Sequence, residues 1–280
     1  MTPTGSSHQD LSLTFVGNAT VLLRLGPFTV LTDPNFLHAG QRAYLGYGLW
    51  SKRLRDPALA IQDLPALDAI VLSHLHGDHW DRVAERGLSK HAPVVTTPAA
   101  ARTLAKRGFE TESLRTWQTT EIVDADHRLT ITAMPGKHAP SPLQRLLPEV
   151  MGSIVDLETG GQRRIRLYIS GDTLCVPELA EVARRYPDID AAMVHLGGTK
   201  LLKLVLVTMD GEQGAELVKM VRPRVAIPIH TDDYTVFTSP VSEFEEQLAR
   251  SRATATVQHV ERGERLDLGR LSGRSSDAHP

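Results

Sequence analysis

Four potential metal donors fall within six residues, His74-Leu75-His76-Gly77-Asp78-His79, and no other feature limits this chain so sharply. They follow a short apolar run, residues 69–73, that reads as a strand. A loop at the C-terminal end of a strand is where α/β proteins place ligands. Imidazole and carboxylate suit Zn²⁺, Mn²⁺ or Fe. Gly77 allows a sharp turn, so that alternate side chains aim at two neighbouring points. The competing reading is a polar surface loop that happens to be His-rich. With 12 His in 280 residues, such clustering by chance is improbable.

Three further candidates stand at equivalent places. His138 follows an expected strand at 129–134, Asp172 follows one at 165–169, and His230 ends one at 225–229. Each alone reads as a capped or solvated side chain or an ordinary turn. Together they supply what the first cluster lacks, enough ligands for two ions.

The rest of the chain reads as alternating elements. Strands are expected at 11–16, 19–25 and 28–32, with Gly26-Pro27 as a turn, and later at 94–96 and 191–195. Helices are expected over 83–90, 98–107, 176–185, 210–221 and 244–252. Residues 36–60 read as a long loop with a short helix, and long irregular segments are often functional. Two similar halves of this kind put helices outside sheets. One domain is expected over 11–270, between flexible tails at 1–10 and 271–280 that are rich in Ser, Gly and Asp.

Composition narrows the function classes. A formal net charge of −2 offers no basic field to collect phosphates, so nucleic acid is not an expected partner. The single cysteine, Cys175, forms no internal disulfide and reads as a core thiol. Residues 1–10 lack the apolar core of a signal peptide, and the longest aliphatic stretch, 201–207, is interrupted by Lys203 and too short to span a bilayer. The expectation is a cytoplasmic protein with no stable membrane insertion.

The seven donors resemble the pattern of the metallo-β-lactamase superfamily. The likeness extends over about residues 11–250, and is strongest to the branch that includes N-acyl-phosphatidylethanolamine phospholipase D and ascorbate-6-phosphate lactonase. The resemblance implies an α+β fold, a four-layer αββα sandwich with the site at one edge between two sheets. It implies that His74, His76 and His138 bind one metal, that Asp78, His79 and His230 bind a second, and that Asp172 bridges both. Zinc leads as the metal, with manganese or iron as alternatives. Asp33, in Thr32-Asp33-Pro34, matches an early Asp that orients a ligand His, or is an ordinary Asp-Pro turn. Asp81 is a second such candidate, with a helix N-cap as its rival.

The chemistry implied is hydrolysis by a binuclear metal-dependent enzyme. A metal-bound hydroxide attacks an ester-like or phosphodiester bond of a small or lipid-like molecule, and Asp78 and Asp172 handle protons. A lactonase of a sugar or signalling lactone is the alternative. A non-catalytic metal-binding scaffold and a nuclease rank lower. An acid at position 172 fits β-lactam cleavage poorly, because the common zinc β-lactamases carry Cys there. His195, at a strand end facing the cleft, is a catalytic or substrate-binding candidate, or a structural His. Lys137 and Tyr234 are candidate substrate contacts. The apolar segments around Tyr44, Tyr47 and Trp50, and residues 139–152 with Pro140, Pro142, Leu146, Leu147 and Met151, could cover the substrate or pack. A phosphodiesterase should bear cations near the metals, from Lys137, Arg145 or Lys200; a lactonase should show a less charged cleft. A homo-oligomer, by default a dimer, is also expected.

Overall fold

The computed structural model describes residues 10–46, 48–141, 143–201 and 204–272. Tyr47, Pro142 and Lys203, and the expected tails apart from Asp10, Leu271 and Ser272, lie outside the described residues. The first half contains β1 (Leu11–Gly17), β2 (Thr20–Leu25), β3 (Phe28–Thr32), β4 (Arg42–Tyr44), β5 (Trp50–Lys52), β6 (Ala69–Val71), α1 (Arg82–Gly87), β7 (Val94–Thr96), α2 (Pro98–Lys106) and β8 (Thr111–Ser113). The second half contains β9 (Thr119–Asp124), β10 (His127–Met134), β11 (Gly152–Thr159), β12 (Gln162–Ile169), α3 (Ala180–Arg185), β13 (Ala191–His195), β14 (Lys200–Leu201), β15 (Val205–Leu206), α4 (Gly211–Val221), β16 (Val225–Ile229), α5 (Val241–Ser251), β17 (Thr256–Val257) and β18 (Arg265–Asp267).

These strands make two seven-stranded mixed sheets. The first runs β18-β1-β2-β3-β6-β7-β8 and the second β17-β16-β13-β12-β11-β10-β9. In each, an antiparallel half joins a parallel half: β3, β6, β7 and β8 run parallel in one, and β12, β13, β16 and β17 in the other.

Period-two alternation explains the layering. Side chains of one strand point to opposite faces, and here both faces are apolar, as parallel strands covered on two sides require. Val30, Ala69, Val71, Met193 and Ile227 point into the space between the sheets, where they meet Ile131, Val155 and Leu167. Their neighbours Leu31, Ile70 and Leu72 point outward onto Ala84 of α1 and Leu104 of α2. On the other side Tyr168, Ala192, Val194 and Ala226 point outward onto Val182, Leu217, Val218 and Phe244 of α3, α4 and α5. The result is helix, sheet, sheet, helix: the four-layer αββα sandwich.

The structure departs from the sequence reading in several places. Residues 36–60 hold a small hairpin, β4–β5, and no helix among those described. The helix expected over 83–90 stops at Gly87, where Leu88 turns extended. The helix expected over 176–185 begins as a 3₁₀ turn, Pro177–Leu179, before α3. Strands β8, β9, β11, β14, β15, β17 and β18 have no counterpart in the sequence reading. Strand β9 is mostly exposed at a sheet edge, so burial leaves no clean apolar signal there.

Asp81 resolves in favour of the cap. Its Oδ1 accepts from the Val83 and Ala84 N–H groups at the start of α1 (2.6 and 2.8 Å), and its Oδ2 accepts from Phe36 and Leu37 N–H (2.5 and 2.7 Å). Asp81→Ala should therefore remove a cap and strand two buried N–H groups, costing about 3 kcal/mol. Thermal unfolding should show a midpoint lower by roughly 6–12 °C; an unchanged midpoint would refute the bracing role.

Candidate metal centre

Strands β3, β6, β12, β13 and β16 all end at one edge of the sandwich, and β10 runs the same way as β12 through two antiparallel pairings. The residues at or just past each of these ends therefore arrive at the same seam. Met151 N–H donates to the Ser73 carbonyl (3.0 Å), tying the two sheets together there. Asp33, His74, His138, Asp172, His195 and His230 are thus brought together from 198 residues of chain (230 − 33 + 1) by topology alone.

Three groups of donors result, two of them facing the cavity and the third, Asp33, His79 and His195, lying behind. His74, His76 and His138 form one: His74 Nε2 lies 3.0 Å and His138 Nε2 3.2 Å from His76 Nδ1. Asp78, His79, Asp172 and His230 form the second. There His79 Nε2 is 3.3 Å from Asp172 Oδ2, and His230 Nε2 is 3.4 Å from Asp78 Oδ2. The His74 and His79 rings are 4.2 Å apart, so the groups adjoin. Asp172 sits among the second group, while its charge acts on His74 and His76 of the first.

Four of the five donor rings in the two cavity-facing groups are fixed by their far nitrogen. His138 Nδ1 donates to the Val207 carbonyl (2.6 Å) and His230 Nδ1 to the Leu196 carbonyl (3.0 Å). Ser73 Oγ donates to Asp33 Oδ1 (2.9 Å), so it accepts from His74 Nδ1 at 3.0 Å. Asp33 Oδ2 faces His79 Nδ1 at 3.5 Å. In all four rings this places a proton on Nδ1 and turns Nε2 inward, the orientation that metal ligation requires. Three inward atoms, Asp78 Oδ1, His79 Nε2 and Asp172 Oδ1, are buried without a hydrogen-bond partner. Buried polar atoms are rarely left so. An all-nitrogen-and-oxygen donor set with orphaned acceptors fits divalent cations.

Electrostatics divides the groups. Burial, with repulsion among neighbouring imidazoles, holds His74 and His76 well below the usual range, His76 at about 3. Burial also lowers His138. These three are neutral, as ligands must be. At His79 burial works against the charged form, but Asp172, Asp78 and Asp33 outweigh it and raise the ring well above its usual value; Asp172 and Asp78 do the same at His230. Burial would raise Asp172, yet His230 and His79 hold it well below the carboxylate range. The second group is a place where two carboxylates call for positive charge.

Backbone strain gathers at the same point. Asn18, Asp33 and His230 adopt left-handed φ of 55°, 36° and 61°. Each such residue costs of order 1–3 kcal/mol and persists only where its surroundings enforce it. Gly77 is needed for a reason other than turn freedom: an added Cβ would lie 2.7 Å from the Tyr44 carbonyl oxygen, where the β4–β5 hairpin crosses the donor loop.

Sequence reasoning missed the frame behind the donors. Asn18 Nδ2 donates to the Asp78 carbonyl (2.7 Å), its N–H donates to Asp233 Oδ2 (2.7 Å), and its carbonyl accepts from His230 N–H (2.9 Å). Asn35 Nδ2 donates to the Gly77 carbonyl (3.2 Å). Buried Arg53 donates through Nη1 to Asn35 Oδ1 (2.5 Å), and Arg262 pairs with Asp233 at 2.9 Å. Asn18 carried a signal, since Asn between two strands marks left-handed backbone. The Val207 and Leu196 carbonyls carry none.

Several candidate contacts fall elsewhere. Tyr234 is buried, its hydroxyl donating to Asn35 Oδ1 (2.9 Å) beneath Arg53, so it packs and does not meet substrate. Asp81 touches none of the seven donors; it reaches them only through Asn35. Lys137 is half-buried and absent from the cavity wall, its backbone tied to Thr173 and Leu174. His195 is fully buried, with Nε2 at 3.4 Å from Asp33 Oδ2 and its ring stacked 6.0 Å from His79. It packs behind His79 and is absent from the cavity wall, which favours the positioning reading over the catalytic one. Cys175 is partly buried, its thiol pushed up to about 11 by burial and Glu216, consistent with a packing role.

A cavity opens over the donors, with His76, Asp78, His138 and Asp172 at its floor. Its walls include Leu45 and Leu49 from the β4–β5 hairpin and Leu147 from the 139–152 segment. Tyr44 and Trp50, by contrast, are exposed, and Met151 is buried in the inter-sheet core.

Fold and site define a metallo-β-lactamase-type protein, and the comparisons with known proteins agree. A family model described as the β-lactamase superfamily domain matches residues 29–231, and the chain belongs to that superfamily. The N-acyl-phosphatidylethanolamine-hydrolyzing phospholipase D 1 of Caenorhabditis elegans is 28% identical over 247 residues, covering 83% of this chain and 67% of that protein. A UPF0173 metal-dependent hydrolase of Pyrococcus furiosus is 25% identical, covering 92% of this chain and all of its own length. Among solved structures, an isothiocyanate hydrolase from Delia radicum gut bacteria superposes with a TM-score of 0.75 at 22% identity, covering 91% of this chain and 98% of that one. The protein is a metal-dependent hydrolase of this superfamily. None of the described helices is long and apolar enough to cross a membrane.

His195→Ala should loosen Asp33 and, through it, His79. Metal affinity measured by equilibrium dialysis should fall about 10–100-fold, with kcat preserved at saturating metal. Unchanged affinity with a collapsed kcat would restore a direct catalytic role.

Proposed function

We propose that the protein is a binuclear hydrolase that cleaves an ester-like bond of a small-molecule substrate with water. One observation carries this reading: the orphaned donors Asp78 Oδ1, His79 Nε2 and Asp172 Oδ1 converge beneath a cavity that reaches the surface. His74, His76 and His138 would hold one divalent ion and Asp78, His79 and His230 the other, with Asp172 between them. The imidazole-rich set with carboxylates suits zinc first, with manganese or iron as alternatives. When bound, the ions lower the pKa of water and polarise the scissile group.

The chain's own residues supply the rest. Asp78 lines the cavity with an unfilled acceptor, so it takes the proton from the attacking water and returns it to the departing oxygen. Asp172, kept ionised by His230 and His79, acts only as an acceptor; Thr208 Oγ1 donates to its Oδ2 (3.1 Å) and steadies it. No side-chain nucleophile is required.

Elemental analysis after reconstitution should find about two equivalents of metal. A panel of aryl esters, lactones, p-nitrophenyl phosphodiesters, an isothiocyanate and a chromogenic β-lactam should contain one class whose turnover a chelator abolishes. Metal-free protein with no turnover would leave a scaffold. Asp172→Ala should keep the fold by circular dichroism, lose at least one metal equivalent, and lose roughly a thousandfold in kcat/KM or more. Full activity in that variant would end the two-metal reading.

A further inference from the structure

The wall of the cavity is as informative as its floor. Five aliphatic side chains surround the opening: Leu45 and Leu49 from the β4–β5 hairpin, Leu147 from the segment before β11, and Leu201 and Val207 from the β14–β15 hairpin region. Three separate pieces of chain thus each turn a leucine inward. Among the described residues no lysine or arginine lines the cavity. Lys200 precedes Leu201 on β14 and is exposed while Leu201 faces in, as strand alternation requires. Arg145 is exposed near Leu147. The charged side chains in the wall are the carboxylates Asp78 and Asp172, at the floor.

The outer faces of the same pieces carry exposed apolar side chains among the charged Arg42, Lys52, Arg145 and Lys200. Trp50 is 57% exposed on the β4–β5 hairpin, Leu146 54% beside Leu147, and Leu204 82% between β14 and β15. Large apolar side chains at such exposure are seldom gathered on elements that share one cavity without a ligand or surface to meet.

From this geometry we infer the substrate class: an uncharged carboxylic ester or lactone whose acyl part is an aliphatic chain, lying along Leu45, Leu49, Leu147 and Leu201 with its carbonyl over the donors. The inference rests on the hydrolase reading and makes it specific. A phosphodiester bearing a second charge, or a sugar phosphate, would set an anion against leucine with no cation to answer it, and burying an unpaired charge is costly. In the reaction the acyl C–O bond breaks, the water oxygen bonds to the acyl carbon, and the water's proton goes by way of Asp78 to the leaving alkoxide. An acid and an alcohol result, or a hydroxy acid from a lactone.

The test separates ligand class from catalysis. Methyl ketones keep the ester carbonyl but have no leaving group, so 2-butanone, 2-hexanone and 2-octanone are titrated by NMR against metal-loaded protein. Affinity should rise by up to about fourfold for each buried methylene. Leu147→Lys places a cation in the wall and should flatten the ketone series; Leu49→Lys repeats the test should the first variant fail to fold. A flat ketone series in the wild type overturns the inference. If the ketone slope holds while the hydrolysis panel shows no chelator-sensitive turnover, the cavity assignment stands and the hydrolase reading falls. Chelator-sensitive turnover fastest on phosphodiesters does the reverse.

Discussion

Three carboxylates, Asp33, Asp78 and Asp172, are buried together at the seam between two sheets, and everything around them follows from that cost. Burying an ionised carboxylate without compensation is expensive enough that the group normally takes up a proton. Here imidazoles surround the three, and Asp33 stays ionised at about 2 despite burial because His79 and His195 lie against it. The site is therefore an arrangement of charge before it is an arrangement of ligands. Cations answer the acids, carbonyls and Ser73 fix the rings, and the strained backbones of Asn18, Asp33 and His230 are held by that web.

How far the sequence disclosed this depends on which physical signal each part carries. The seven donors were legible because His and Asp after apolar strands are uncommon without a reason, and strand ends in such folds share an edge. The four-layer architecture followed from the resemblance, and the two-faced burial of β3, β6, β13 and β16 explains why those runs read as continuously apolar. Strand β9 was not legible, since at this sheet edge only Thr120 and Ile122 are half-buried and leave too short an apolar alternation to read. Nor was the hairpin β4–β5, whose residues mix Arg, Tyr, Trp and Lys. Tyr234 and His195 misled for one reason: position after a strand says that a residue nears the site, not which way its side chain turns. Both turn into the protein.

The frame made by Asn18, Asn35, Arg53 and Asp233 explains how a loop of six residues can be stiff. Backbone carbonyls at Gly77 and Asp78 are each held by an asparagine amide, and each asparagine is tied in turn to a buried ion pair. Removing one partner of such a network leaves the others unsatisfied, so these residues act as a unit. The donor loop is held from behind while its front stays open to the cavity.

The donors also straddle the sandwich: His74, His76, Asp78 and His79 come from the first sheet's half of the chain, and His138, Asp172 and His230 from the second. Neither half carries a full set for both groups. Ion binding is thereby linked to the docking of one half upon the other, and linkage runs both ways. A chain still emerging during synthesis meets its last donor only after residue 230 has been made. The first group is complete in sequence at residue 138 and the second only at residue 230, so the two groups close at different lengths of chain.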